Sequence, residues 1–185
     1  METSFIKYIA DTQHYYDVLE RVASVKNTLW IGTADIKDVY VKSGTTAVPL
    51  LAVFDTFVRK NVAIRLIHAK EPGSIFREEH EKFPALWTSM ERALCPRVHF
   101  KLIIFDMETA YIGSANLTGA GIGMKSGQRR NFEAGILTNE PSLVDAAINQ
   151  FDDVWRGKYC KECGRKNYVT CHLFADVVKF CEYCI

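Results

Sequence analysis

Residues 99–116 read HFKLIIFDMETAYIGSAN, and the rest of the chain is best read outward from this stretch. Leu102, Ile103, Ile104 and Phe105 form the unbroken apolar run of a strand buried on both faces. TAYIGSAN follows as the adjacent strand. Side chains two apart on a strand share a face, so His99 and Lys101 are expected to project together while Phe100 packs behind them. Ser114 and Asn116 repeat that relation on the next strand. An imidazole and an ammonium at the end of such a strand fill a core poorly. They suit a phosphodiester well: imidazole attacks phosphorus, ammonium neutralises the phosphoryl oxygens, and the hydroxyl and amide add donors.

His-x-Lys occurs three times, at His68/Lys70, His80/Lys82 and His99/Lys101, but only the third continues into Asp106 and Gly113-Ser114-x-Asn116. A six-residue match at fixed spacing arises by chance on the order of 20⁻⁶ per start position. His68 reads as a strand-end histidine and His80 as an exposed helix histidine. The pattern resembles the phospholipase D superfamily, whose HxKxxxxD and GSxN motifs fall on His99, Lys101, Asp106, Gly113, Ser114 and Asn116. An aspartate-tipped strand, WIGTADI, precedes the motif and Asn131-Phe132-Glu133 follows it, so the resemblance spans about residues 28–157.

The resemblance implies a metal-independent, two-step displacement through a covalent phosphohistidine, with Glu133 orienting and polarising His99. The motif aspartate is usually structural in that superfamily, which makes Asp106 the weakest of the catalytic candidates. Members with two motifs use one histidine as nucleophile and the other as general acid. This chain carries one copy, and single-motif relatives close their site across a two-fold axis, so the resemblance implies a homodimer.

Outward from the motif, strand and helix alternate. Apolar positions at helical spacing predict an amphipathic helix over residues 11–27, and TLWIGTADI a buried strand. A helix over 48–60 and the strand NVAIRLIHA come next, then a mostly helical SIFREEHEKFPALWTSMERAL interrupted near Pro84. GAGIGMKSGQ is a glycine-rich loop, RRNFEAGILT a strand, and Pro141 opens a last helix to about Trp155. This order predicts a layered α/β/α domain over 1–157 with a mixed central sheet covered on both faces.

Residues 158–185 break the pattern. Cys160-x-x-Cys163 and Cys181-x-x-Cys184 have the spacing of a zinc-ribbon-like or treble-clef-like four-thiolate site, with Cys171 or His172 as a possible replacement ligand. Two such pairs in so short a segment favour structural zinc over redox thiols. The tail reads either as a stapled end supporting fold or dimer, or as a nucleic-acid or protein contact module. Saturated by thiolates, that zinc would take no part in catalysis.

A net charge of +1 names no partner. No apolar run reaches the ~20 residues of a membrane span, and no signal peptide is visible, so a cytoplasmic protein is expected. Lys125, Arg129 and Arg130 flank the glycine-rich loop and are candidates to hold backbone phosphates. The first expectation is therefore an endonuclease acting on DNA or RNA. The alternatives are a phospholipase D-type lipid hydrolase and a catalytically silent nucleic-acid-binding protein.

Overall fold

A computed structural model describes residues 3–37, 39–43 and 45–158. Seven strands build one mixed sheet: β1 (Ile6–Ala10), β2 (Thr28–Thr33), β5 (Ala63–His68), β6 (Met90–Leu94), β7 (Lys101–Phe105), β8 (Thr109–Gly113) and β9 (Ala134–Thr138). Their order is β1-β9-β8-β7-β2-β5-β6. The β2, β5 and β6 neighbours run parallel, and every pair from β2 through β7, β8 and β9 to β1 is antiparallel. A separate hairpin, β3 (Tyr40–Ser43) with β4 (Thr46–Pro49), leads into α1 (Leu50–Arg59).

Alternation along the central strands sorts their side chains into two cores. Leu29, Ile31, Ile103, Phe105 and Tyr111 pack on one side with Val18, Leu19 and Phe54. Leu102, Ile104 and Ala110 pack on the other beneath Val144, Ala147, Phe151 and Trp155 of α4 (Pro141–Trp155). Proline at the first turn of α4 forfeits a hydrogen bond that the helix start lacks anyway. The layered α/β architecture with a mixed sheet is thus as expected.

Three expectations change. The segment Met90–Leu94, read as the end of a helix, is the edge strand β6, paired with β5. Only α2 (Ser74–Glu81) and α3 (Ala85–Ser89) are helical in that stretch. Methionine, glutamate, arginine, alanine and leucine favour helix locally, and pairing to β5 overrides that preference. The helix expected over 11–27 contracts to two short helical turns, His14–Leu19 and Glu20–Ser24. Finally, β1 and the β3–β4 hairpin carried no sequence signal that was read as strand. No described helix is long and apolar enough to cross a membrane. Cys160, Cys163, Cys171, His172, Cys181 and Cys184 lie outside the described residues.

Candidate active site

Lys101 opens β7, Gly113 closes β8 opposite it, and Gly135 of β9 pairs with Gly113. His99, Ser114 and Glu133 therefore sit just beyond one end of three neighbouring strands. Regular pairing begins at Lys101, so His99 precedes the strand rather than lying within it. The shared face persists nonetheless. Lys101 Nζ lies 3.4 Å from His99 Nδ1 and donates to the His99 carbonyl at 2.8 Å. Phe100 packs into the opposite core under α4. The His99 ring is exposed while the Lys101 side chain is buried. Burial makes the Lys101 ammonium easier to deprotonate than usual, and the nearby Glu133 charge works against that shift.

Ser114 also lies past the end of its strand. Its hydroxyl donates to Glu133 Oε2 and accepts from the Ala134 backbone N–H at 3.0 Å. Asn131 Nδ2 donates to Glu133 Oε1 at 3.0 Å. Both Glu133 oxygens are thus engaged within the chain, by Ser114 and Asn131. A hydrogen bond donated by the His99 ring to Glu133, which the family resemblance implies, is not among those of the described residues.

The Asn116 side chain is oriented from β2. Its Oδ1 accepts from the Asp35 backbone N–H at 3.2 Å and lies 3.4 Å from Thr33 Oγ1. Thr33 Oγ1 in turn accepts from the Leu117 N–H at 3.1 Å. With its oxygen committed, the Asn116 amide keeps its two N–H donors for a ligand. Thr33 belongs to the site's scaffold although no spacing rule singled it out; a buried threonine at a strand's end was the only hint.

Tyr111 explains two glycines. A Cβ on Gly113 would stand 2.2 Å from the Tyr111 hydroxyl oxygen, and one on Gly135 would stand 2.6 Å from its Cε2. The buried ring runs beneath both, and its hydroxyl accepts from the Ala115 N–H at 3.3 Å. Burial raises the Tyr111 phenol far above its ordinary value, so it stays protonated.

Asp106 lies at the other end of β7. Its carboxylate accepts from the backbone N–H groups of Lys26, Asn27 and Thr28, at 2.7 Å for Asn27 and 2.9 Å for Thr28. The five residues of β7, about 17 Å of strand, and Phe100 lie between it and His99. It clasps the entry to β2 and touches none of the other candidates.

Residues 68 and 80 are also placed. His68 is buried, with Nδ1 2.7 Å from the Lys70 carbonyl, and burial lowers its pKa to about 4. His80 is half-buried between Phe76 and Trp87 rather than exposed. In the glycine-rich loop, Lys125 and Arg129 are exposed and Arg130 is half-buried. Gly121 lets that loop settle on the motif, since a Cβ there would lie 2.5 Å from the Asn116 carbonyl. Among the described residues no group of three or more His, Cys, Asp or Glu side chains gathers to hold a metal ion.

Residues 18–155 match the family model described as cardiolipin synthase, PLD-like domain. The chain belongs to this PLD-like family. Solved structures share its fold. The phospholipase D family member Nuc from Salmonella typhimurium superposes with a TM-score of 0.58 at 15% identity, covering 83% of this chain and 95% of Nuc. NucT from Helicobacter pylori gives 0.56 at 12%, covering 82% and 95%. The archaeal chromatin protein TrmBL2, whose structure shows a mode of DNA binding, gives 0.56 at 15%, covering 91% of this chain and 56% of TrmBL2. No curated protein matches by sequence. In this PLD-like domain, then, one sheet end gathers an accessible imidazole, a buried ammonium, an oriented amide and a serine–glutamate pair.

Proposed function

We propose that this PLD-like domain is a metal-independent phosphodiesterase, an endonuclease of DNA or RNA that works through a phosphohistidine. The observation that carries the reading is the exposed His99 imidazole with Lys101 Nζ 3.4 Å away. His99 attacks phosphorus through Nε2, the nitrogen turned away from Lys101. The new P–N bond forms as the P–O bond to the leaving alcohol breaks, and a general acid protonates that oxygen. Water, giving its proton to that same group now acting as base, then attacks phosphorus, the P–N bond breaks, and the imidazole is restored. Lys101 and the Asn116 N–H donors stabilise the phosphoryl oxygens in both steps. Ser114, held by Glu133, adds a further polar contact.

The general acid needs a second accessible histidine. Among the described residues, His14 and His68 are buried and His80 is sandwiched between aromatic rings. A homodimer that brings two copies of His99 together supplies it by symmetry. Lys125, Arg129 and Arg130 would track the backbone phosphates beside the site. The DNA binding of TrmBL2 on the same fold favours nucleic acid. A lipid ester is the second reading: Phe132 is 92% exposed beside Glu133, and Ile6 and Tyr8 are exposed on β1.

Hydrolysis of single- and double-stranded DNA, RNA and phosphatidylcholine vesicles, with excess EDTA, separates these readings. Nucleic-acid cleavage that survives EDTA and falls by about 10³-fold or more in His99→Ala is expected. A bell-shaped pH profile should accompany it, because one imidazole must be neutral and the other charged. Binding without cutting would mark a silent nucleic-acid-binding protein, and an equally active His99→Ala protein would end the phosphohistidine mechanism. For residues 158–185 we propose, from spacing alone, a structural zinc on Cys160, Cys163, Cys181 and Cys184. Metal analysis of the full chain should find about one zinc, lost in Cys160→Ser. A cytoplasmic setting would keep those thiols reduced.

A further inference from the structure

His14 lies outside the motif, yet three features tie it to the site. Its side chain is 1% exposed, at the start of the first helical turn. Nδ1 lies 3.0 Å from the Asp11 carbonyl, which can only accept, so Nδ1 carries the proton and Nε2 presents a lone pair. Nε2 is buried without a hydrogen-bond partner, which folded proteins seldom leave so. The same residue lines a small cavity with Thr33, Lys101 and Tyr111, otherwise apolar and with room for about one water. The imidazole also stands edge-on to Tyr111, ring centroids 5.5 Å apart at 85°. That ring is the one beneath Gly113 and Gly135.

Resting on the phosphodiesterase reading above, we propose that His14 is a positioning residue for Lys101 and for the Gly113–Asn116 turn. A water in the cavity donates to Nε2 and accepts from Lys101 Nζ, while the ring edge braces Tyr111. The ammonium has three protons. One goes to the His99 carbonyl, one faces His99 Nδ1 across 3.4 Å, and the third is fixed by the water. The long contact to Nδ1 is the one a phosphoryl oxygen replaces as the phosphate arrives; the His99 proton then moves from Nε2 to Nδ1, which leaves the Nε2 lone pair free to attack. The groups facing His14 are Asp11 from the preceding turn, Lys101 from β7, Tyr111 from β8 and Glu133 ahead of β9. Burial lowers the His14 pKa, partly offset by the Asp11 carbonyl and the Glu133 and Asp11 charges, so the ring is neutral as this role requires.

Two measurements test the inference on the full chain. In the first, His14→Phe keeps an aromatic edge against Tyr111 and removes the acceptor, whereas His14→Gln restores an acceptor. With bis(p-nitrophenyl) phosphate, His14→Phe should lose about tenfold in kcat at nearly unchanged KM, and His14→Gln should recover part of it. Wild-type kcat in His14→Phe would overturn the proposal. In the second, NMR of the ring nitrogens reads the His14 tautomer and the Nε2 hydrogen bond directly, with or without activity. Protonated Nδ1, and an Nε2 resonance that moves in Lys101→Met, are expected; an unmoved Nε2 resonance overturns the proposal even if variants at position 14 fold poorly. A wild-type chain that hydrolyses nothing while Nε2 still responds to Lys101→Met would refute the enzymatic reading and leave the His14–Lys101 link standing.

Discussion

The two ends of β7 carry residues of one motif and give them opposite tasks. At the Lys101 end a buried ammonium lies against an exposed imidazole, an arrangement that costs stability and that the proposed phosphodiesterase would use. At the Asp106 end a carboxylate takes three backbone N–H groups and ties the loop before β2 to the β7–β8 turn. Asp106 and Met107 both adopt left-handed backbone there, at φ of 52° and 59°. Short polar side chains tolerate that conformation better than most. Under the proposed function the motif divides into a reactive half and a scaffolding half, separated by the length of a strand, with Asp106, expected from the family resemblance to be structural, in the second.

The sharpest way to break this comparison is Lys101→Met. Removing an ammonium aimed at phosphoryl oxygens should cut kcat by about 10²–10³-fold. Because the charge is buried and disfavoured by that burial, the melting temperature should hold or rise. A large loss of stability would show that Lys101 is scaffold after all. Asp106→Ala should do the reverse, costing about 2 kcal/mol in denaturant unfolding while leaving kcat of the folded protein nearly intact. Collapse of kcat in folded Asp106→Ala would merge the two halves again.

A smaller effect sharpens the same contrast through pH. Burial alone would raise the Asp106 pKa, but the N–H groups of Thr28, Asn27 and Lys26, with the Lys26 charge, outweigh it and hold the carboxyl below its ordinary value. A depressed folded-state pKa gives stability that is present above the unfolded value and lost as pH falls through the folded one. The stability gap between wild type and Asp106→Asn should be constant near neutrality and shrink below about pH 4. The smallest effect belongs to the exposed loop. A Lys125→Ala/Arg129→Ala pair should weaken nucleic-acid binding several-fold at low salt and hardly at all at high salt, with kcat unchanged.

How much was legible depends on what kind of signal each residue leaves. Strands β2, β5 and β7 announce themselves as apolar runs, and α4 through Pro141 and its periodicity. The edge strand β6 does not, because Met90–Leu94 are helix formers and only pairing with β5 makes them a strand. Strand β3 and its partner escape for a related reason: KSGTT looks like loop until the backbone folds back. Within the site, His99, Lys101, Ser114 and Asn116 are found by fixed spacing. Thr33 and His14 are single residues, 83 and 87 positions from Asn116 and Lys101, the motif residues they approach, and only the folded sheet brings them near. Spacing reveals groups that share a strand; it is silent about those that meet through topology.

The tyrosine beneath the two glycines bears on how this family can change. A Cβ at Gly113 would collide with the Tyr111 hydroxyl and also lie 2.8 Å from the Ala134 carbonyl, whatever becomes of the reaction. A descendant that abandoned hydrolysis could shed His99 and Lys101 freely and would still be compelled to keep Gly113. In such a lineage the glycine of the GSxN motif would outlast the activity, a fossil of packing, whereas an altered residue 99 or 101 would be the first mark of a changed occupation.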